Sequence, residues 1–350
     1  MKRIKKFNLT AWMLLMVMGC SSVRYQTVKI SDSKMRVIFE TDIGNDIDDA
    51  LALDMLYKYQ DAGIINLLGI MTNKESEYSA AYIDIMNTWY GYPEIPIGIV
   101  ENGADSENDA VNYAKQVVMM QQENGVPLFR RTLKDPRVLK EAHLLYRQIL
   151  AEQPDSSVII ISVGFSTNLS RLLETAADKI SPLSGKELVA RKVKLLSTMA
   201  GCFNNESLLE YNVVKDIPAA KKVFEEWPTP LVTSPFEVGI TINYPGSSIE
   251  EDFQWASHHP MVEGYKAYLP MPYDRPTWDL TAVLYAVEDS SFFTISPPGK
   301  IQITEKGNTL FTHRKGGNRF YLSVDSIQSG KIKNHFIEII TRHPKLISIQ

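Results

Sequence analysis

Met35-Arg36-Val37-Ile38-Phe39-Glu40-Thr41-Asp42-Ile43-Gly44-Asn45-Asp46-Ile47-Asp48-Asp49 passes from an apolar, β-branched and aromatic run straight into an acidic loop. From Asp49 to Tyr59 apolar residues then recur at helical spacing, so the segment reads as strand, loop and helix. Five carboxylates (Glu40, Asp42, Asp46, Asp48 and Asp49) fall within ten residues of that loop. Like charges held so close either raise one another's pKa or recruit a cation. A site of carboxylates and backbone carbonyls suits a hard, oxygen-preferring ion such as Ca²⁺, whereas zinc would favour His or Cys. The simpler alternative is that Asp48 and Asp49 cap the next helix and the other acids are solvated. Two other acidic motifs are excluded by spacing. An EF-hand counted from Asp42 would need Gly at Ile47 and Glu at Leu53. An aspartyl-nucleophile phosphatase would want Asp where Glu40 stands.

The same alternation continues outward from this segment. Leu67 to Met71 reads as a strand, Glu77 to Tyr90 as a helix and Ile95 to Val100 as a strand. Val158 to Val163 is a further strand, followed by a helix through Leu169 to Leu173, and Val193 to Met199 is another strand. Repeated strand-helix units predict an α/β fold: a mainly parallel, doubly wound, Rossmann-like open sheet with helices on both faces and ligands at the carboxyl ends of the strands. The stretch from Glu101 to His143 is rich in Gln, Asn and Glu with weak periodicity, and is read as helices and loops forming part of a lid. Lys300 to Thr304, Thr309 to His313 and Phe320 to Val324 are strand-like, separated by Lys306-Gly307-Asn308 and Gly316-Gly317-Asn318. Both separators carry hairpin-turn signals, which predicts a small C-terminal antiparallel element. Residues 35–350 are expected to form one domain.

Ahead of it, Lys2, Arg3, Lys5 and Lys6 precede an apolar stretch from Leu9 to Met18, and Val17-Met18-Gly19-Cys20 follows. That order is a secretory signal, and about ten apolar residues are too few to span a bilayer. A small residue before Cys resembles the bacterial lipobox. It implies that residues 1–20 are a lipoprotein signal peptide, that Cys20 is acylated, that 21–34 is a tether, and that the protein sits lipid-anchored in the cell envelope, in the periplasm or at the outer membrane. Only Cys202 remains besides Cys20, so no disulfide within the chain is expected. The net charge of −4, with no basic stripe beyond the signal, argues against a nucleic-acid polymer and for a small-molecule partner.

Asp42-Ile43-Gly44-Asn45-Asp46-Ile47-Asp48-Asp49-Ala50 resembles the N-terminal aspartate signature of the nucleoside hydrolase family, with about two extra residues between the first and last carboxylates. Four further segments resemble the family in its own order: Met71-Thr72-Asn73; Val163-Gly164-Phe165-Ser166-Thr167-Asn168; Met199-Ala200-Gly201 with Asn204 and Glu210-Tyr211-Asn212; and Trp278-Asp279-Leu280-Thr281-Ala282-Val283. The resemblance spans roughly Met35 to Val287. It implies hydrolysis of the N-glycosidic bond of a nucleoside or related N-riboside, with Ca²⁺ held by Asp42, Asp49, Asp279 and the Val163 carbonyl. Asp42 is then the general base. Asp46 or Asp48, with Asn73, Met199, Asn204, Glu210 and Asn212, is implied to bind the sugar. The family's inosine- and uridine-preferring members carry His immediately before the last calcium Asp, whereas Trp278 stands here. An indole is no practical acid, so a leaving-group proton must come from Tyr211, Tyr273, Arg275, His258 or His259, or not be needed. Trp278 is read as a base-stacking residue or as packing. The resemblance also implies a homodimer or homotetramer. Two alternatives stand beside it: a calcium-dependent nucleoside- or sugar-binding lipoprotein without turnover, and a hydrolase of another glycoside.

Overall fold

In the computed structural model, which describes residues 34–104, 111–205, 207–288 and 290–345, the Met35 run forms the strand around which the sheet is organised. The strands are β1 Met35–Thr41, β2 Ile65–Thr72, β3 Ile97–Ile99, β4 Lys140–Glu141, β5 Val158–Ser162, β6 Val193–Met199, β7 Leu231–Ser234, β8 Asn243–Tyr244, β9 Arg275–Pro276, β10 Thr294–Ile295, β11 Gly299–Ile303, β12 Thr309–His313 and β13 Arg319–Ser323. The main sheet runs β12-β11-β13-β7-β6-β5-β1-β2-β3-β4, with β10 beside β13. From β4 to β13 across β7 the pairing is parallel. The chain winds outward from β1 in both directions, which puts a topological switch point between β1 and β5. The lipidation site read at Cys20 and its signal lie outside the described residues.

Because β1 is central and covered on both faces, its apolar residues are continuous. Val37 and Phe39 face a core shared with helix Asp48–Asp61 and helix Trp278–Val287, while Ile38 faces a second core with Tyr146, Leu150 and Leu169. Register then aligns the strand ends. Glu40 pairs with Met71 on one side and with Ser162 on the other, and Ser162 pairs in turn with Thr198. The loops that begin at Asp42, Asn73, Val163 and Ala200 therefore emerge side by side on one edge. From Lys34 onward the chain forms one compact unit. Among the described residues no helix is long and apolar enough to cross a membrane.

The structure departs from the sequence reading in three places. Leu231–Ser234 is a fully buried strand that the reading passed over, a four-residue run closed in by Pro230 and Pro235. Lys306-Gly307-Asn308 does close an antiparallel hairpin between β11 and β12, with Thr304 N donating to Asn308 O at 2.9 Å. Gly316-Gly317-Asn318 does not. It carries the chain past β11 so that β13 pairs parallel to β7, and the C-terminal element is continuous with the main sheet. Gly317 makes this crossing possible, because any side chain there would run into the backbone of Gly299. Finally, the stretch from Glu101 to His143 holds helix Tyr113–Val118, edge strand β4 and the start of helix Ala142–Glu152, and none of its described residues lines the cavity that holds Asp42, Asp49 and Asp279. It forms no lid among the described residues.

Gly317→Ala is expected to lower stability by about 2 kcal/mol, the usual cost of overpacking against atoms that cannot yield. A urea midpoint equal to that of the parent protein would show that the Gly299–Gly317 contact does not set the crossing.

Candidate active site

At the end of β1 the chain turns back on itself to start a helix. Ile43 N donates to Thr41 Oγ1 at 3.0 Å, Thr41 Oγ1 donates to Asp49 Oδ1, and Ser79 Oγ donates to Ile43 O at 2.5 Å. Gly44, at φ +125°, takes the one backbone conformation in the loop that a side chain would oppose. These bonds place Asp48 and Asp49 in the first turn of helix Asp48–Asp61. Helix Trp278–Val287 packs against that helix and brings Asp279, in its own first turn, to the same point. Asp279 N donates to Asp48 Oδ2 at 3.1 Å. Carboxylate oxygens of Asp48, Asp49 and Asp279 all lie within 4.8 Å of one another, and the three residues are only 2%, 2% and 4% exposed.

Burial is the main force raising the pKa of each of the three. Asp46 adds to it at Asp48, Asp42 and Asp48 add to it at Asp49, and Asp48 and then Asp49 add to it at Asp279. Asp42, buried at the end of β1, lines the same cavity. A Cβ built on Gly164 would sit 2.7 Å from Asp42 Oδ1 and 2.5 Å from Asn73 Oδ1, so both oxygens converge on one spot. Asn73 Oδ1 is buried and accepts no hydrogen bond. An all-oxygen set with an unmatched acceptor beside it fits a hard divalent cation and offers nothing to a soft one.

The cavity these acids open into has a volume of about 350 Å³. Its far side is lined by Val163, Met199, Leu208, Leu209, Glu210, Tyr211, Asn212, Phe236 and Trp278. Glu210 caps helix Tyr211–Lys215, accepting from Asn212 N at 2.8 Å and Val213 N at 3.1 Å, and it also accepts from Gly201 N at 2.9 Å. Burial raises its pKa and those backbone N–H groups pull it back. Asn212 Nδ2 donates to Val163 O at 3.0 Å and to Met199 O at 3.1 Å, which ties the ends of β5 and β6 together. Trp278 Nε1 donates to Phe236 O at 3.0 Å, and the two rings stack with centroids 5.5 Å apart. Asp46 is engaged by Arg275, whose Nε donates to Oδ1 at 2.8 Å and whose guanidinium lies over the Trp278 ring.

Of the residues read from sequence, Asp42, Asp46, Asp48, Asp49, Val163, Met199, Glu210, Asn212, Trp278 and Asp279 all line this cavity. Asn73 does not reach its surface; it is fully buried beside Asp42. Asn204 does not line the cavity and is exposed. Phe203 just before it stacks on Tyr321 at 4.8 Å and turns the following residues outward. Among the proton donors considered, Tyr211 lines the cavity and accepts from Asn45 Nδ2 at 3.4 Å. His259 is enclosed by Trp89, Trp255 and Phe253, His258 pairs with Glu263, and the Tyr273 hydroxyl donates to Tyr265 O. Sequence reasoning missed Asn45, Leu208, Leu209 and Phe236. Phe236 follows β7, so identifying that strand would have put it on the same edge.

A doubly wound sheet with buried carboxylates at the switch point and an aromatic wall facing them defines an α/β enzyme that works on a small molecule. The chain belongs to the inosine-uridine preferring nucleoside hydrolase family, whose model matches residues 37–337, and is by that membership a nucleoside N-ribohydrolase. Solved structures share its fold. A plant nucleoside hydrolase is 18% identical with a TM-score of 0.67, over 88% of this chain and 99% of that one. The purine-preferring ribonucleoside hydrolase from Gardnerella vaginalis is 14% identical with a TM-score of 0.64, over 87% and 98%. The type III effector protein XopQ, complexed with adenosine diphosphate ribose, is 15% identical with a TM-score of 0.62, over 88% and 94%. Comparison of the sequence with curated proteins yields no match.

With no cation bound, burial and mutual repulsion raise the pKa of Asp48, Asp49 and Asp279, so the folded cluster binds protons that the unfolded chain releases, and stability falls as pH rises above the ordinary carboxylate range. Asp279→Asn is expected to raise the melting temperature of chelator-treated protein at pH 8 and to remove the further rise given by a divalent cation. Differential scanning fluorimetry in EDTA and in CaCl₂ measures both, and a lowered melting temperature in EDTA would show that the three acids do not strain the apo fold.

Proposed function

We propose that the protein hydrolyses the N-glycosidic bond of a nucleoside or related N-riboside to free base and ribose, with Ca²⁺ held by Asp42, Asp49, Asp279 and the Val163 carbonyl. The observation that carries this reading is the meeting of buried carboxylates from both ends of the chain across a cavity from an aromatic wall. When bound, the ion supplies fixed positive charge that lowers the pKa of water at the site. Asp42 accepts the proton of the attacking water as general base. Positive charge then develops on the sugar ring, and the surrounding carboxylates stabilise it. Asp48 takes the sugar hydroxyls, since Asp46 is engaged by Arg275. Met199, Glu210 and Asn212 form the polar end of the sugar site, and the Trp278–Phe236 stack forms the wall against which a base packs.

One observation favours a narrower version of this reading. The Trp278 N–H is already given to Phe236 O, so the residue that stands where the family has a His offers no acid, and of the donors considered only the weakly acidic Tyr211 lines the cavity. We therefore propose that the preferred substrates carry leaving groups that depart without strong protonation. The adenosine diphosphate ribose bound by the XopQ effector keeps N-ribosides other than simple nucleosides among the candidates.

Reducing sugar released from inosine, uridine, adenosine and 4-nitrophenyl riboside, in CaCl₂ and after EDTA, tests both statements. The nitrophenyl riboside is expected to turn over at least tenfold faster than inosine, all activity is expected to depend on calcium, and Asp42→Asn is expected to lower kcat by about 10²–10⁴-fold. Tight binding with no product from any of the four substrates would establish a binding protein instead. We further propose that the chain is acylated at Cys20 and held in the cell envelope, as the basic and apolar run before it suggests. Cys20→Ser is expected to move the protein from the membrane fraction to the soluble one; unchanged partitioning would refute the anchor.

A further inference from the structure

Behind the carboxylates lies a buried polar layer that the proposed reaction leaves without a role. Glu40 is fully buried in β1, one strand position before Thr41 and facing away from the cavity. Its Oε2 accepts from Tyr146 Oη at 2.5 Å, and its Oε1 accepts from Asn73 Nδ2 at 3.3 Å. Tyr146 is also fully buried. The second Asn73 Nδ2 hydrogen goes to Phe165 O at 2.9 Å. A carbonyl oxygen can only accept, so Phe165 O demands the amide nitrogen, and Glu40 demands it as well when its carboxyl is ionised. The rotation of the Asn73 amide is thereby fixed, and its oxygen must point the other way. That oxygen is the buried acceptor without a partner, and it lies with Asp42 Oδ1 beside Gly164, 2.5 and 2.7 Å from where a Cβ would stand, with the amide nitrogen 2.8 Å from the same point.

We infer that Glu40 is a positioning residue: through its bond to Asn73 Nδ2, backed by Tyr146, it holds the Asn73 carbonyl oxygen toward Asp42, where that oxygen takes a donor or cation of the bound state. Released from Glu40, the amide is held by the Phe165 O bond alone, so its oxygen is less firmly kept from exchanging places with N–H groups, which repel a cation and mismatch a hydroxyl proton. Asn73 therefore acts from behind the cavity, and its orientation is set by a fully buried residue that does not line it. This inference rests on the cavity being the reaction site.

The test is a double-mutant cycle of Glu40→Met and Asn73→Ala, read by kcat/KM on 4-nitrophenyl riboside and by calorimetric titration of the full-length protein with CaCl₂ and with ribose. Each single variant is expected to lose tenfold or more in kcat/KM and in affinity for calcium or ribose, and the double variant is expected to lose no more than the worse single one. Glu40→Gln, whose amide oxygen still accepts from Asn73 while its nitrogen donates to Tyr146, is expected to retain activity within about threefold. Losses that multiply in the double variant, or a folded Glu40→Met protein with parental binding, would overturn the inference. Should Glu40→Met fail to fold, Tyr146→Phe decides: a threefold or greater loss at an unchanged melting temperature supports the positioning role, and no loss refutes it. Parental protein that binds calcium and ribose but turns nothing over would sink the hydrolytic reading alone, since the calorimetric cycle still reports on Glu40.

Discussion

Carboxylates that repel one another are forced into a shared, water-poor space by the packing of two helices, and the rest of the site is arranged around that confinement. Leu51 and Met55 of helix Asp48–Asp61 and Leu280 and Val283 of helix Trp278–Val287 are all completely buried. Their burial offsets what the acids cost. Both helices also aim their N-terminal ends at the cluster, so the partial positive charge of each macrodipole falls where Asp48, Asp49 and Asp279 lie. The Asp279 N–H bonded to Asp48 Oδ2 is one direct expression of this. Dipoles of this size lessen the repulsion without removing it, and the acids remain pushed toward their protonated forms. A divalent ion completes such an arrangement electrostatically, which is why the cluster reads as half of a binding site.

Much of this was legible in the sequence because the strongest signals were local. Val37-Ile38-Phe39 had to be a doubly covered strand, and the acids after it had to meet at its carboxyl end. That Asp279 joins them is a long-range fact, and only the resemblance to a family supplied it. Where the sequence reading failed, side-chain direction or strand partnership decided the outcome. Asn204 belongs to a segment whose neighbours reach the cavity, yet the Phe203–Tyr321 stack turns it to solvent. Gly316-Gly317-Asn318 has the composition of a hairpin turn, but close packing of Gly317 on Gly299 sends the chain across β11 to β7. A turn signal reports local backbone freedom and is blind to which strand will be the partner.

The two sides of the cavity differ in how much of their polarity is already spent. Glu210 accepts from three backbone N–H groups, Asn212 bridges two carbonyls, and Trp278 has given its one donor to Phe236. These side chains hold backbone in place as much as they line the site, so that wall is stiff and its shape is set before any ligand arrives. On the opposite side Asn73 Oδ1 accepts no hydrogen bond and the crowded carboxylates repel one another, so that side gains most from a cation or a donor. Binding energy in this cavity is therefore concentrated at its acidic end.

That asymmetry bears on what the enzyme discriminates. A wall built from a stacked indole and phenyl ring rewards any flat ring that fits and rejects few, because removing a methylene or changing a ring atom costs little against an apolar surface. Buried oxygens that expect a hydroxyl proton are much stricter, since a substrate lacking that hydroxyl leaves them desolvated and unmatched. Under the proposed reaction, selection falls on the sugar and on the ability of the leaving group to depart, and only weakly on the identity of the base. Trp278 in the position of a His thus shifts the chemical burden: with no imidazole at that position, the barrier depends more on how well the acidic end stabilises charge on the ring, which returns the rate to the geometry of Asp42, Asp48, Asp49 and Asp279.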